Sequence, residues 1–261
     1  MLTNENYYAP KSNMRYMSVS QYKSFIRCES AAMAELQGEW VRPKTTALLV
    51  GSYVDAYFEG TLDEFRQDNP AIFKRDGSLK ADYVKAEEVI VRIEADPMFL
   101  EYMSGEKQVI RIAELFGCEW KIKVDSYLPD RIVDLKVMRS MERIIGKSFV
   151  EHWGYDNQMA VYGEIDHRAG APVKETYLAV ATKQDPPDLE VIHIPMWRRD
   201  ECLNDIQRNL PRILAVKAGK TPPRRCGVCE YCRKTKKLVE PLDFELVGFS
   251  QKELDAMRGV G

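Results

Sequence analysis

Asp125, Asp134 and Lys136 are arranged around a tight Leu128-Pro129-Asp130 turn, with the two acids equidistant from the Pro129–Asp130 bond. Residues 120–127 and 131–137 read as the arms of a β-hairpin, which sets the two carboxylates opposite one another across the strands. Like charges so placed destabilise a sheet unless a cation sits between them. Side chains alternate along a strand, so Lys136, two residues past Asp134, shares its face. Two acids and an ammonium on one face suit magnesium-assisted hydrolysis of a phosphodiester. Mg²⁺ takes oxygen ligands, usually one or two of them carboxylates, with water completing the shell; the Leu135 carbonyl is a further candidate ligand. The ion would polarise a phosphate and acidify a bound water. Lys136 is placed to orient or deprotonate that water, or to offset developing charge. The dipeptide Pro129-Asp130 is explained by turn chemistry alone.

Further groups join this set. Asp55 lies one turn after Gly51 in an apolar segment, where a bare glycine clears space on the acid's own face and a buried acid needs a partner. It is a candidate third metal ligand. Gln158 and Tyr162 are four apart on a predicted helix, so an amide and a hydroxyl face one way, suited to phosphate, sugar or support of the metal acids. Cys226, Cys229 and Cys232 form a C-x2-C-x2-C run. Disulfides within such spacing are strained, and in a cytosolic chain the clustering favours a metal centre. Cys118 and Cys202 read as small buried hydrophobes, and His152, His167 and His193 as structural or surface residues.

The elements that must position these residues follow from pattern. A helix over 21–36 is capped by Ser18 or Ser20, a second apolar helix over 47–58 ends at Gly60, and a charged helix follows the Asp76-Gly77 turn to about Ile93. Asp96 and Pro97 cap and open a short helix. Strands are predicted over 109–115, 120–127, 131–137, 176–182 and 189–194. Helices are predicted over 141–145 behind Ser140, over 155–166, and for about twenty residues from Arg198. Ser250-Gln251-Lys252-Glu253 fits a capping box for a terminal helix. With 261 residues and no repeat, the chain reads as one mixed α/β domain, with a core at about 45–200 and a tail from 238. A net charge of −2 announces no nucleic-acid partner globally. The absence of any long apolar run or secretory leader makes the cytoplasm the expectation.

Gly51-x3-Asp55, Asp125, Asp134-Leu135-Lys136 and Gln158-x3-Tyr162, in that order, resemble the motif set of the PD-(D/E)xK nuclease superfamily. The nearest branch is the RecB-like and phage recombination exonucleases, the group of lambda exonuclease and RecE. The resemblance implies a restriction-endonuclease-like core, a mixed β-sheet flanked by helices, and Mg²⁺ or Mn²⁺ dependence. It also implies hydrolysis of linear double-stranded DNA, in partnership with a single-strand annealing protein and possible homo-oligomerisation. Many RecB-type members carry His where this chain has Asp55. One cysteine before the core and three after it, Cys28 with Cys226, Cys229 and Cys232, resemble AddB-type nucleases and the Cas nucleases of CRISPR adaptation. Those enzymes hold a four-iron, four-sulfur cluster; Zn²⁺ on the same thiolates is the alternative. Such a centre would join the N-terminal and C-terminal segments and gather Arg224, Arg225, Arg233 and Lys234, with Lys217, Lys220, Lys236, Lys237, Lys23 and Arg27, into a DNA-contacting surface. The competing readings are a non-catalytic, metal-stapled DNA-binding module and an iron–sulfur electron carrier.

Overall fold

The structure is a computed structural model and describes residues 2–43, 45–238, 241, 243–249, 253–254 and 257. The helices are α1 (Pro10–Arg15), α2 (Val19–Arg27), α3 (Glu29–Gln37), α4 (Thr46–Glu59), α5 (Leu62–Asp68), α6 (Ala81–Glu94) and α7 (Pro97–Tyr102). Strands β1 (Val109–Leu115), β2 (Cys118–Val124), β3 (Ser126–Tyr127) and β4 (Arg131–Met138) come next. Helices α8 (Phe149–Trp153) and α9 (Tyr155–Arg168) lead to β5 (Glu175–Thr182) and β6 (Leu189–His193), then α10 (Met196–Lys217) and α11 (Glu230–Lys234). Two compact units result: Met1–Asn4 with Pro43–Asp205, and Glu5–Arg42 with Ile206–Gly261.

The first unit is built on a mixed sheet in the order β3-β4-β5-β6, with β4 and β5 parallel and the flanking pairs antiparallel; β1 and β2 form a separate antiparallel pair. A parallel pair needs a crossover, and α8 and α9 supply it. Alternation along β4 decides what faces where. Val133 and Leu135 enter a core with Tyr53 and Val54 of α4, Ile90 and Ile93 of α6, and Ala179 and Ala181 of β5. Asp134 and Lys136 therefore point to the opposite face. The mixed, helix-flanked sheet is the architecture expected from the sequence.

The second unit has its own buried apolar residues, Met17, Tyr22 and Phe25 with Ile206, Leu210, Ile213 and Val216 of α10, and charged contacts add to them. Glu29, in the first turn of α3, accepts from Arg212 Nε at 2.7 Å, from Arg212 Nη2 at 2.9 Å and from the Arg224 amide at 2.7 Å. A carboxylate at a helix N-terminus also gains from the helix dipole. Lys217 Nζ donates to the carbonyls of Asn13 and Tyr16 and to Gln21 Oε1, at 2.9, 3.1 and 2.8 Å. Its ammonium is spent on holding the chain together, which removes Lys217 from the expected DNA-contacting set.

Several elements differ from the sequence expectation. The helix over 21–36 breaks at Cys28, whose extended backbone (φ −165°) ends α2 and starts α3. Residues 120–127 are not one strand but β2 and β3, which belong to different sheets. No helix forms over 141–145. Ile144 and Lys147 bridge instead, and the next helix starts at Ser148, where a complete capping box with Glu151 wins the competition for the first turn. Helices α1 and α5 were not expected from pattern. The proposed capping residues Ser250, Gln251 and Lys252 lie outside the described residues. No described helix is long and apolar enough to cross a membrane.

Candidate active site

Strand β2 ends at Val124 and β3 begins at Ser126, and Asp125 sits where the chain passes from one sheet to the other. Ser126 lies opposite Val133 and Tyr127 opposite Ile132. Extending that register by one residue sets Asp125 opposite Asp134. The Asp125 carboxylate accepts from the Leu135 amide at 2.9 Å, so a side chain takes the donor that a continued ladder would have bonded. A strand residue's N–H and C=O point to the same neighbour, which turns the Leu135 carbonyl toward this side as well; the Lys136 ammonium donates to it at 3.2 Å.

Asp134 is 2 % exposed. Gln158 Nε2 donates to its Oδ1 at 2.5 Å, so α9 fixes the carboxylate's orientation. Its Oδ2 pairs with the Lys136 ammonium. Tyr162, half-buried, follows Gln158 by one turn on the same face of α9.

The electrostatics tie α4 to this group. Burial lifts Asp55 from the usual 3.8 to about 7; Lys136 pulls it down, while Glu59 and Asp134 push it up. Burial also raises Asp125 well above the ordinary carboxylate range, with Asp134 and Asp55 adding repulsion against Lys136 and the Leu135 amide. Burial alone would depress Lys136, but Asp134 and Asp125 outweigh it and hold the ammonium above its normal pKa. Asp55, Asp125, Asp134 and Lys136 thus share one field, and Gln158 is bonded into it.

Three groups that sequence reasoning passed over join them. Glu59 is one helical turn after Asp55, and burial raises its pKa against the pull of Lys123. Lys107 is lowered by burial while Asp125 and Glu59 counteract that. Tyr155 packs its ring 5.3 Å from Lys136 Nζ and donates its hydroxyl to Met138 Sδ at 3.1 Å. The spacing Asp55-x3-Glu59 was the signal available for the first. The histidines stand apart: His193 meets Glu175 at 2.7 Å, His167 meets the Ala171 carbonyl at 3.0 Å, and His152 packs edge-on against Trp153.

The residues fit a hard divalent cation. Burial first and neighbouring acids second raise Asp55 and Asp125, so the site favours added positive charge beyond the Lys136 ammonium. The donor set is oxygen only, as Mg²⁺ and Mn²⁺ prefer.

In the second unit Cys28, Cys226, Cys229 and Cys232 place their sulfurs within 4.8 Å of one another. Cys28 Sγ is 3.6 Å and Cys226 Sγ 3.9 Å from Cys232 Sγ, and none of the four is in a disulfide. The Cys229 amide donates to Cys226 Sγ and the Cys232 amide to Cys229 Sγ, an arrangement that supports thiolates. Four thiolates in such a cluster can bind a metal. Cys202 is buried, its thiol pushed up to about 12 by burial, whereas Cys118, the first residue of β2, is half-buried rather than buried. Arg224, Arg225, Arg233 and Lys234 are exposed around the cysteine run. Two of them also pack on aromatic rings: Arg225 on Tyr231 at 5.6 Å and Lys234 on Trp40 at 5.2 Å.

Residues 18–235 match the profile of a family described as "PDDEXK-like domain of unknown function (DUF3799)". A crystal structure from Eubacterium rectale, described as "Putative exonuclease", is 48% identical and superposes with a TM-score of 0.91. That match covers 95% of this chain and 98% of the other. No curated protein matches.

Proposed function

This chain belongs to the PDDEXK-like DUF3799 family, and from that premise we propose that it is a Mg²⁺- or Mn²⁺-dependent deoxyribonuclease that degrades linear double-stranded DNA from its ends. The single observation that carries the reading is the convergence of Asp125, Asp134 and Lys136 from the two arms of one hairpin, with Gln158 bonded to Asp134. Asp125 and Asp134, with Asp55 from α4 and the Leu135 carbonyl, would hold the ion. When bound, the ion supplies Lewis acidity toward the scissile phosphate and lowers the pKa of water. Lys136, kept protonated by its flanking acids, acts as a donor that orients the nucleophile and balances charge on the phosphate, rather than as a base. Gln158 holds Asp134 in place, and Tyr162 offers a hydroxyl to the DNA backbone from the same helix face. Exposed Arg224, Arg225, Arg233 and Lys234 would add phosphate contacts.

The ordered motifs from Gly51 to Tyr162, with an acid at Asp55, support placement among recombination-type exonucleases, whose products a strand-annealing protein would take up. The test compares linear and covalently closed circular duplexes with Mg²⁺. Loss of the linear form alone is expected; equal loss of both would make the enzyme an endonuclease. Loss of neither would favour the metal-stapled binding module.

A pH dependence follows from the carboxylates. Asp55 binds its proton more tightly folded than unfolded, so its stabilising effect is complete below the usual 3.8 and is lost as pH rises through about 7. Without added Mg²⁺, the unfolding temperature of wild type relative to Asp55→Asn should fall across that interval. Ion binding needs the deprotonated ligand, so Mg²⁺ should raise the wild-type unfolding temperature more at pH 8 than at pH 5. Equal shifts at both values would remove Asp55 from the ligand set.

The sulfur spacing bears on the second metal. A tetrahedral ion with Zn–S near 2.3 Å sets its ligands about 3.8 Å apart, close to the observed 3.6 and 3.9 Å. A four-iron cluster puts each thiolate on a different iron and so spreads the sulfurs farther. The spacing supports Zn²⁺ over the cluster. Colourless protein with stoichiometric zinc is the expected result, and brown protein containing iron would reverse the assignment.

A further inference from the structure

Two of the groups that hold Lys136 are also groups that would hold the metal ion. The ammonium pairs with Asp134 and donates to the Leu135 carbonyl at 3.2 Å, and both belong to the ligand set proposed above. Lone pairs given to an ion are lost to the ammonium, and two cations repel. A lysine on its flexible four-carbon stem then needs another contact to stay beside the phosphate.

Tyr155 supplies a contact that uses none of the ligand oxygens. Lys136 Nζ lies over its ring, 5.3 Å from the centroid, and its hydroxyl donates to Met138 Sδ at 3.1 Å. Lys136 and Met138 share one face of β4, so the ring lies along the strand with its hydroxyl anchored beyond the lysine. Phe149 of α8 packs edge-on against the ring at 6.3 Å. Lys136 and Tyr155 are both half-buried, where an ammonium is drawn to an aromatic face more strongly than in open water. Gln158, one turn later on α9, holds Asp134 at 2.5 Å. The start of α9 thus orients both members of the Asp134–Lys136 pair, the acid by an amide and the ammonium by a ring.

We propose that Tyr155 is a positioning residue for Lys136, its ring face keeping the ammonium at the reacting phosphate when an ion occupies Asp134 and the Leu135 carbonyl. The inference rests on the nuclease reading above. It adds a residue that lies outside both Asp134-Leu135-Lys136 and Gln158-x3-Tyr162.

Two substitutions divide the side chain. Tyr155→Phe keeps the ring and gives up the bond to Met138, whereas Tyr155→Leu keeps apolar bulk without an aromatic face. On a linear duplex with Mg²⁺, Tyr155→Phe should hold kcat within about twofold of wild type. Tyr155→Leu should lower kcat roughly tenfold, the scale of a desolvated cation–π contact. KM for DNA should be unchanged in both. In the Lys136→Met background, Tyr155→Leu should cost nothing further, because the group it positions is gone. A second readout needs no turnover. The Lys136 ε-methylene proton resonance, assigned through Lys136→Met, should lie upfield of the other lysines in wild type and Tyr155→Phe, with and without Mg²⁺. It should return to the common lysine position in Tyr155→Leu. Equal kcat in Tyr155→Leu and wild type, equal losses in the two variants, the same loss from Tyr155→Leu in Lys136→Met, or an unshifted wild-type resonance would each overturn the role while leaving the nuclease standing. If Tyr155→Leu does not fold, the wild-type and Tyr155→Phe resonances decide alone. Wild-type protein inert on every linear duplex would remove the nuclease reading and the role together.

Discussion

Asp134→Asn is expected to lower the rate of linear DNA degradation roughly a thousandfold or more, through loss of an anionic metal ligand and of the charge that holds Lys136 in place. The substitution is chosen for shape. Asn keeps an oxygen that can accept from Gln158 Nε2, so the bond between α9 and β4 survives. It also relieves the repulsion that Asp134 exerts on Asp125 and Asp55, so the fold should persist. A large loss of activity with an unchanged unfolding temperature would therefore report chemistry. Lys136→Met, close in length and without charge, should cost about a hundredfold while DNA binding is retained. Initial rates on a linear duplex, with binding measured in parallel, check both. Wild-type rates in either variant would leave the proposed chemistry without its actors.

Removal of the metal proposed for the four cysteines should have the largest effect on stability. The apolar cluster here consists of Cys28, Ala31 and Cys232, with Cys226, Cys229 and Tyr231 packed against it. So small a core supplies little hydrophobic stabilisation, whereas a structural zinc contributes on the order of 10 kcal/mol of folding free energy. The ionic tie of Glu29 to Arg212 and to the Arg224 amide remains, but part-exposed pairs of this kind contribute little alone. Cys229→Ala is thus expected to release the segment around α11 and the start of α3. Hydrogen exchange should show lost protection at 224–235 and near Cys28, with β4 and β5 still protected. Unchanged protection across 224–235 would mean that the thiols are not a metal site.

The hairpin bearing Asp125 and Asp134 was legible because turn residues and period-two alternation both act over a few residues. The oddity of paired acids was itself informative, since it marks a place where folding preference yields to chemistry. The break at Asp125 was not legible. Residues on either side of it alternate as a single strand would, and only pairing with β1 on one side and β4 on the other separates them. Cys28 illustrates the same difficulty in a helix. The residues around it favour one continuous helix, yet its backbone turns extended where the thiol meets cysteines more than 190 residues away in sequence. Ser140 offered a plausible cap, but Ser148 with Glu151 offered a reciprocal one, and the stronger local signal prevailed. Glu59 had a signal in its spacing from Asp55, whereas Lys107 and Tyr155 belong to the site only through tertiary placement. The four cysteines were gathered by spacing and order, while the distance between their sulfurs required coordinates.

Anomalous scattering from crystals soaked in Mn²⁺ addresses the central proposition most directly. Manganese density coordinated by Asp125 and Asp134, and absent in Asp134→Asn, is the predicted result. Protein that degrades DNA with Mn²⁺ yet places the ion elsewhere, with these two carboxylates unliganded, would contradict it.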